Sequence, residues 1–251
     1  MIEVLPGDAS AFVLLFARLG ALLMSVPLFS EDAVPGRVRL LMTLGMTAGL
    51  WGLLGPMMPR LSGDEPRLAA MLVTELLIGL AIGMLIRMMF MAITIAGGVI
   101  SLQIGLTSAL VVDASAGGQV PVLAKLMSVA AVLICMGLGV HHLWIATLVH
   151  SYTLFPVGAL PPSQDFLDLA VMTAGRAMAL GLGLSAPLVI YGLVFNMALG
   201  LASRLAPAVQ IFFIAQPLNL LGGIALFMLL IGSMLAAFAN SLADWTMAIW
   251  G

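Results

Sequence analysis

The stretch LAAMLVTELLIGLAIGMLIRMMFMAITIAGGVISLQIGLTSALVV, residues 68–112, decides the fold class. Across it only Glu75 and Arg87 carry charge. A helix needs about 20 mostly apolar residues to cross a hydrocarbon core of ~30 Å. This stretch is about twice that length, so it predicts two helices. Helix is the form to expect, because hydrocarbon offers no partner to an open backbone N–H or C=O.

The rest of the chain agrees. Of its 251 residues, 63% are apolar and 8% charged, against about 45–50% and 25% in a soluble domain. A soluble protein could not cover its surface with so few polar groups. The net charge of −2 supplies no basic face of the kind nucleic acid calls for. Outward from residues 68–112, charges and turn residues mark the other units. Toward the N-terminus, one apolar run extends from about Ala9 to Phe29, with Arg18 inside it, and another from Leu40 to Pro59. Toward the C-terminus, the turn-rich Asp113–Gln119 segment is followed by runs Val122–Leu154, Leu167–Leu205 and Ile211–Ala243. The fold class expected is an all-α membrane protein of about six hydrophobic helices, arranged as hairpins. The N-terminal segment is acidic (Glu3, Asp8) and lacks the positive start of a signal peptide, so the first run is expected to be retained. Lys and Arg near the helix ends are too evenly spread to fix an orientation.

Pro27, Pro121, Pro187, Pro207 and Pro217 stand in or beside apolar runs. Each removes a backbone donor, so broken helices with close protein neighbours are expected. Small residues at spacings of four (Gly45 and Gly49; Gly79 and Gly83; Ala177, Gly181 and Ser185) let helix backbones approach, and about half of them are expected to pack. Methionines cluster at Met84, Met88, Met89 and Met91, flexible side chains suited to an adaptable seal or to ordinary lipid contact. Trp245 and Trp250 suit an interface or simple packing equally well.

No catalytic constellation emerges. His141, His142 and His150 lie in the same run as the single cysteine, Cys135, but with no acidic ligand nearby and no H-E-x-x-H spacing. They are expected to mark a helix end or a partner contact, with no metal and no cofactor. Serines lack a G-x-S-x-G context. The notable chemistry is charge inside apolar runs: Arg18, Glu75, Arg87 and Arg204. A mid-bilayer charge costs at least about 2.5–3.5 kcal/mol, so each should face protein or water. Glu75 and Arg87 are twelve residues apart on one run, too far to pair with each other, so each needs another helix, another chain or solvent.

Several short blocks stand out in order along the chain: Phe16-Ala17-Arg18-Leu19-Gly20, Pro27-Leu28-Phe29 and Val34-Pro35-Gly36-Arg37. They continue in Glu75-Leu76-Leu77-Ile78-Gly79, Gln103-Ile104-Gly105-Leu106 and Gly118-Gln119-Val120-Pro121, and close on Ser203-Arg204, Ala206-Pro207 and Pro217-Leu218. In their order and spacing the chain resembles the FliR family of the flagellar type III protein export gate. Ser108 and Val112 stand where the family commonly has phenylalanine, Ala114 where it has proline, and Asn219 where lysine is frequent. The resemblance implies a single membrane-embedded gate domain over residues 1–251, without catalysis, in the bacterial inner membrane at the flagellar basal body. It implies assembly with FliP and FliQ into a channel for unfolded flagellar subunits, with FlhB at the cytoplasmic side. It also implies that the central loop, about residues 105–121, plugs the closed channel. Leu106, Leu110, Val111 and Val112 would form the apolar plug surface, Gly117 and Gly118 the hinge, and Arg18, Glu75, Arg87 and Arg204 buried charges for subunit contacts. Much of the apolar surface would then be buried on neighbouring subunits. The alternatives are the homologous gate of a virulence secretion system and a secondary transporter, which the absence of repeats and of a dense polar cluster counts against.

Overall fold

The computed structural model describes residues 7–27, 34–61, 64–106, 109–113, 118–159, 163–205 and 211–250. Among them the order is α1 (Gly7–Ser25), α2 (Gly36–Leu54), a 3-10 turn (Gly55–Met57), α3 (Glu65–Gln103), β1 (Leu110–Asp113), β2 (Gly118–Pro121), α4 (Val122–Gly137), α5 (Val140–Leu154), α6 (Ser163–Leu205) and α7 (Ile211–Trp250). Five helical stretches are long and apolar enough to cross a bilayer, or six when α4 and α5 count as one span, which meets the expected number.

Three of these helices are longer than a membrane requires. α3, α6 and α7 hold 39, 43 and 40 residues, or about 58–65 Å each at 1.5 Å per residue. Fitting ~60 Å of axis into ~30 Å of hydrocarbon needs a tilt near 60°, beyond the ~0–40° that spanning helices adopt. Yet, apart from exposed charges such as Asp165, Asp168 and Arg176 of α6, their outward faces carry many large apolar side chains. On α6 these include Val171, Met172, Met197 and Leu205; on α7, Ile214, Leu221 and Leu229, the last 79% exposed. The part of each face that lipid cannot reach needs protein to cover it.

The chain divides into two compact units. The first combines residues 1–88, 141–173 and 246–251. Its centre is α1, whose Ala11, Leu14, Leu15 and Leu19 are almost completely enclosed. Ala11, Leu14 and Leu15 cluster with Leu54, Met58 and Tyr152, and Trp51, Met71 and Val149 pack around them. In lipid no hydrophobic drive separates helix–helix from helix–lipid contact, so close packing decides which faces meet. Gly79 and Gly83 provide that contact: a Cβ on Gly79 would fall on the Arg18 carbonyl oxygen, and one on Gly83 on Ser25. Gly45 and Gly49 have open space around them. α3 begins where Asp64 accepts the Arg67 N–H at 3.3 Å, an N-cap followed by Glu65 and Pro66.

The second unit combines residues 89–140 and 174–245. Along α3 the buried positions Met89, Ile93, Ala96 and Ile100 repeat at helical spacing while Met91 and Leu102 face outward. Phe90 and Phe238 meet edge to face at 5.2 Å. Gly181 sits against the Ala92 carbonyl and Ile95, and Gly97 against Ala124. Gly79, Gly83 and Gly181 therefore use the small-residue spacing for packing, and Gly45 and Gly49 leave theirs unused within the chain.

Two sequence expectations are corrected. Residues 68–112 do not make two helices: α3 is continuous to Gln103, because no residue in its interior breaks it. Nor do Pro187 and Pro217 break α6 and α7, which run through them. Each ring removes one N–H, a loss that a protein-lined helix tolerates. The break falls instead at Leu138–Gly139, where Gly139 has φ +74°, a left-handed conformation suited to glycine. Val122–Leu154 is thus two helices, and Cys135 does not share one with the three histidines.

Candidate functional site

Two features bring unusual chemistry together, one in each unit. In the first, Arg18 and Glu75 are both fully buried and pair in a fork, Nε donating to Oε2 at 2.6 Å and Nη2 to Oε1 at 3.0 Å. Arg18 Nη1 donates to the Ser151 carbonyl and to Ser151 Oγ, each at 3.2 Å, and Nη2 to the Phe155 carbonyl at 3.0 Å. A guanidinium has five N–H donors, and these contacts use all five. The Tyr152 ring lies 3.9 Å from the guanidinium carbon, on the face where an aromatic quadrupole attracts a cation. Glu75 Oε1 also accepts the Gly158 N–H at 3.2 Å, in a turn where Gly158 has φ +79°. One ion pair thus ties α1, α3, the end of α5 and the turn after it. Bidentate, fully bonded geometry is what a charge pair requires to persist away from water. The pair is satisfied inside the chain, and neither charge waits for another subunit.

The second feature is the central loop, which is more ordered than a plain loop. β1 and β2 form an antiparallel ribbon with Leu110 opposite Pro121, Val111 opposite Val120, Val112 opposite Gln119 and Asp113 opposite Gly118. Branched Val111, Val112 and Val120 favour the extended backbone. The ribbon begins where α3 ends. Gly105 takes φ +82°, its N–H bonding to the Leu102 carbonyl and the Leu106 N–H to the Ser101 carbonyl. This is the Schellman end of a helix, built on a left-handed glycine. The ribbon's base closes on the Val122 N–H and the Ala109 carbonyl at 3.0 Å, directly before α4.

The expected plug residues fall on this ribbon. Leu110 is half exposed, Val111 and Leu106 are partly buried, and Gly118 is exposed. Val112 pairs through its backbone, and Gly117 lies outside the described residues. Gly118 sits in a strand, and among the described residues of this region the left-handed glycine is Gly105, marked in the sequence only as a residue just after the helical run. Arg87 and Arg204 are exposed on the chain, so neither is buried by the chain itself. Helical period places Arg87 in line with the exposed Leu80, Met84 and Met91. Trp245 and Trp250 are buried within the chain. Among the described residues, no three of His, Cys, Asp and Glu come together to hold a metal ion.

Long apolar helices with buried, internally paired charge define an integral membrane protein. Residues 9–245 match the family of bacterial export proteins, family 1. The flagellar biosynthetic protein FliR of Caulobacter vibrioides is 38% identical over 217 residues, 85% of this chain and 85% of that protein. That of Escherichia coli is 36% identical over 215 residues, 83% and 79% respectively. The Yop proteins translocation protein T of Yersinia pestis is 25% identical over 213 residues, 83% and 80% respectively. The chain belongs to this family of bacterial export proteins, that of the FliR proteins.

Proposed function

We propose that this chain is a non-catalytic subunit of the flagellar type III protein export gate. It would form, with FliP and FliQ, the channel through which unfolded flagellar subunits cross the inner membrane at the basal body, with FlhB at the cytoplasmic mouth. The observation that carries this reading is the likeness to flagellar FliR proteins over more than four-fifths of the chain. The ~60 Å apolar helices fit it physically, since they exceed what lipid can cover and need neighbouring subunits. The flagellar system is favoured over a virulence system because identity is 38% and 36% to the flagellar proteins and 25% to the Yersinia one.

In this reading the 105–121 ribbon closes the resting channel with Leu106, Leu110, Val111 and Val112. Arg18 and Glu75 hold the chain's own helices together, while Arg204, exposed at the end of α6, would meet another subunit. Deleting the chain's gene should abolish flagellin export and motility. Returning it intact should restore both, and shortening the ribbon by about five residues around Gly117 should restore assembly but leave the closed gate permeable to small ions. Restored virulence-effector secretion without flagella would move the assignment to the other system. Solute uptake by the chain reconstituted alone would make it a transporter.

A further inference from the structure

The last carbonyls of a helix have no partner within it, and the end of α3 shows how each is met. The Gly105 and Leu106 amides take those of Leu102 and Ser101. The Gln103 carbonyl is met from α7: Asn219 Nδ2 donates to it at 3.0 Å. The backbone that carries Asn219 is in turn held from α6, where the Tyr191 hydroxyl donates to the Asn219 carbonyl at 3.1 Å. The fit is close on every side. A Cβ on Gly222 would meet the Tyr191 hydroxyl, one on Gly223 the Ile104 side chain, one on Gly192 the Gln103 amide, and one on Gly105 the Gln216 amide.

This cluster lies where the chain leaves α3 for the ribbon. A two-stranded ribbon of four residue pairs is at best marginally stable by itself, so its position is set by what holds its two ends. One end is continuous with α4, behind Pro121. The other is the Gln103–Leu106 turn, and the cross-helix hydrogen bonds to that turn come from the Asn219 side chain and, through its backbone, from Tyr191. Asn219 is 7% exposed, and its Oδ1 has no hydrogen-bond partner among the described residues. Only its donor side is used.

We propose that Asn219 and Tyr191 are positioning residues that latch the resting ribbon, the Asn219 amide capping α3 at the ribbon's entry and the Tyr191 hydroxyl fixing the α7 backbone that presents it. The consequence for permeability rests on the reading of the ribbon as the channel closure. Movement of the ribbon away from its rest position then requires release of the Asn219–Gln103 bond, which places control of the ribbon on α6 and α7.

The test uses the complete complex assembled in the membrane, with Cys135→Ser and Leu110→Cys so that a nitroxide can be attached on the ribbon. Tyr191→Phe removes one hydroxyl and nothing else, and Asn219→Leu removes the cap at similar volume. Each should raise the resting ion leak and the mobile fraction of the Leu110 label by about two- to tenfold, the equilibrium weight of one hydrogen bond. The yield of assembled complex should be unchanged for Tyr191→Phe, and the fold-change of the double variant should fall short of the product of the two singles. A merely structural role would lower complex yield and leave the label's mobility in surviving complexes unaltered, overturning the latch. Unchanged leak and mobility in a fully assembled Tyr191→Phe complex would overturn it too. The ribbon-shortened chain separates the two levels. If shortening leaks and the latch variants do not, the latch alone fails. If shortening does not leak while label mobility rises in Tyr191→Phe, the latch stands and the closure reading fails.

Discussion

Replacing Glu75 with alanine should do more damage than the size of the side chain suggests. Arg18 is fully buried and all five of its donors are engaged, two of them by Glu75. In the Glu75→Ala chain those two donors and the Gly158 N–H lose their acceptor, and a full positive charge remains enclosed. Breaking a buried pair from one side costs about 3–5 kcal/mol. For a chain of this size 1 kcal/mol corresponds to roughly 2–4 °C, so Tm should fall on the order of 6–20 °C. The pair removed together, as Arg18→Met with Glu75→Ala, leaves no charge behind. The Ser151 carbonyl keeps its helical bond from the Phe155 N–H at 2.8 Å. Only the Phe155 carbonyl and the Gly158 amide are orphaned, at about 1–3 kcal/mol each. The double variant should therefore fall well short of the sum of the two singles, with a coupling on the order of 2–3 kcal/mol. Thermal unfolding in detergent, followed by tryptophan fluorescence, reads all four corners of the cycle. Additive losses, or a Glu75→Ala chain with an unchanged Tm, would refute the reasoning.

Other outcomes follow from the packing. Gly79→Leu should abolish stable chain in the membrane, since a Cβ there already meets the Arg18 backbone, whereas Gly45→Leu should leave the chain's own stability within about 1 kcal/mol; the steady-state amount of each in membranes checks this. Val111→Cys with Val120→Cys, in a Cys135→Ser background, should form a disulfide across directly opposed ribbon positions, and Leu110→Cys with Gln119→Cys should form far less; equal yields would dismiss the register. Leu229→Arg, on a fully outward position of α7, should reduce co-purification of partner subunits at least tenfold while the isolated chain unfolds at an unchanged temperature, if protein rather than water covers that face.

The sequence made the apolar runs plain, because avoidance of water is written into composition. It could not say where those runs bend. Gly139 and Gly105 look like any other glycine in an apolar chain, and their left-handed angles are set by the helices that end there. Pro187 and Pro217 look like breaks but are absorbed by α6 and α7. The length of α3 was misjudged for a related reason: a span limit applies to helices that lipid must cover and not to helices that protein can. Arg18 and Glu75 each stood out as a charge in an apolar run. Their pairing across 57 residues was not legible, although two opposite charges set inside apolar runs were a usable signal. The cap on Gln103 was hidden altogether, since an asparagine gives no hint of which distant carbonyl it will serve.

The central claim is that this chain's outward apolar faces are covered by other subunits of an export gate. Purifying the tagged chain from its own bacterium in mild detergent, and weighing the intact particle by native mass spectrometry, addresses it directly. The account predicts a particle several times the 26.2 kDa of the chain that contains FliP- and FliQ-type proteins. A monodisperse single chain, stable and free of protein partners, would contradict it.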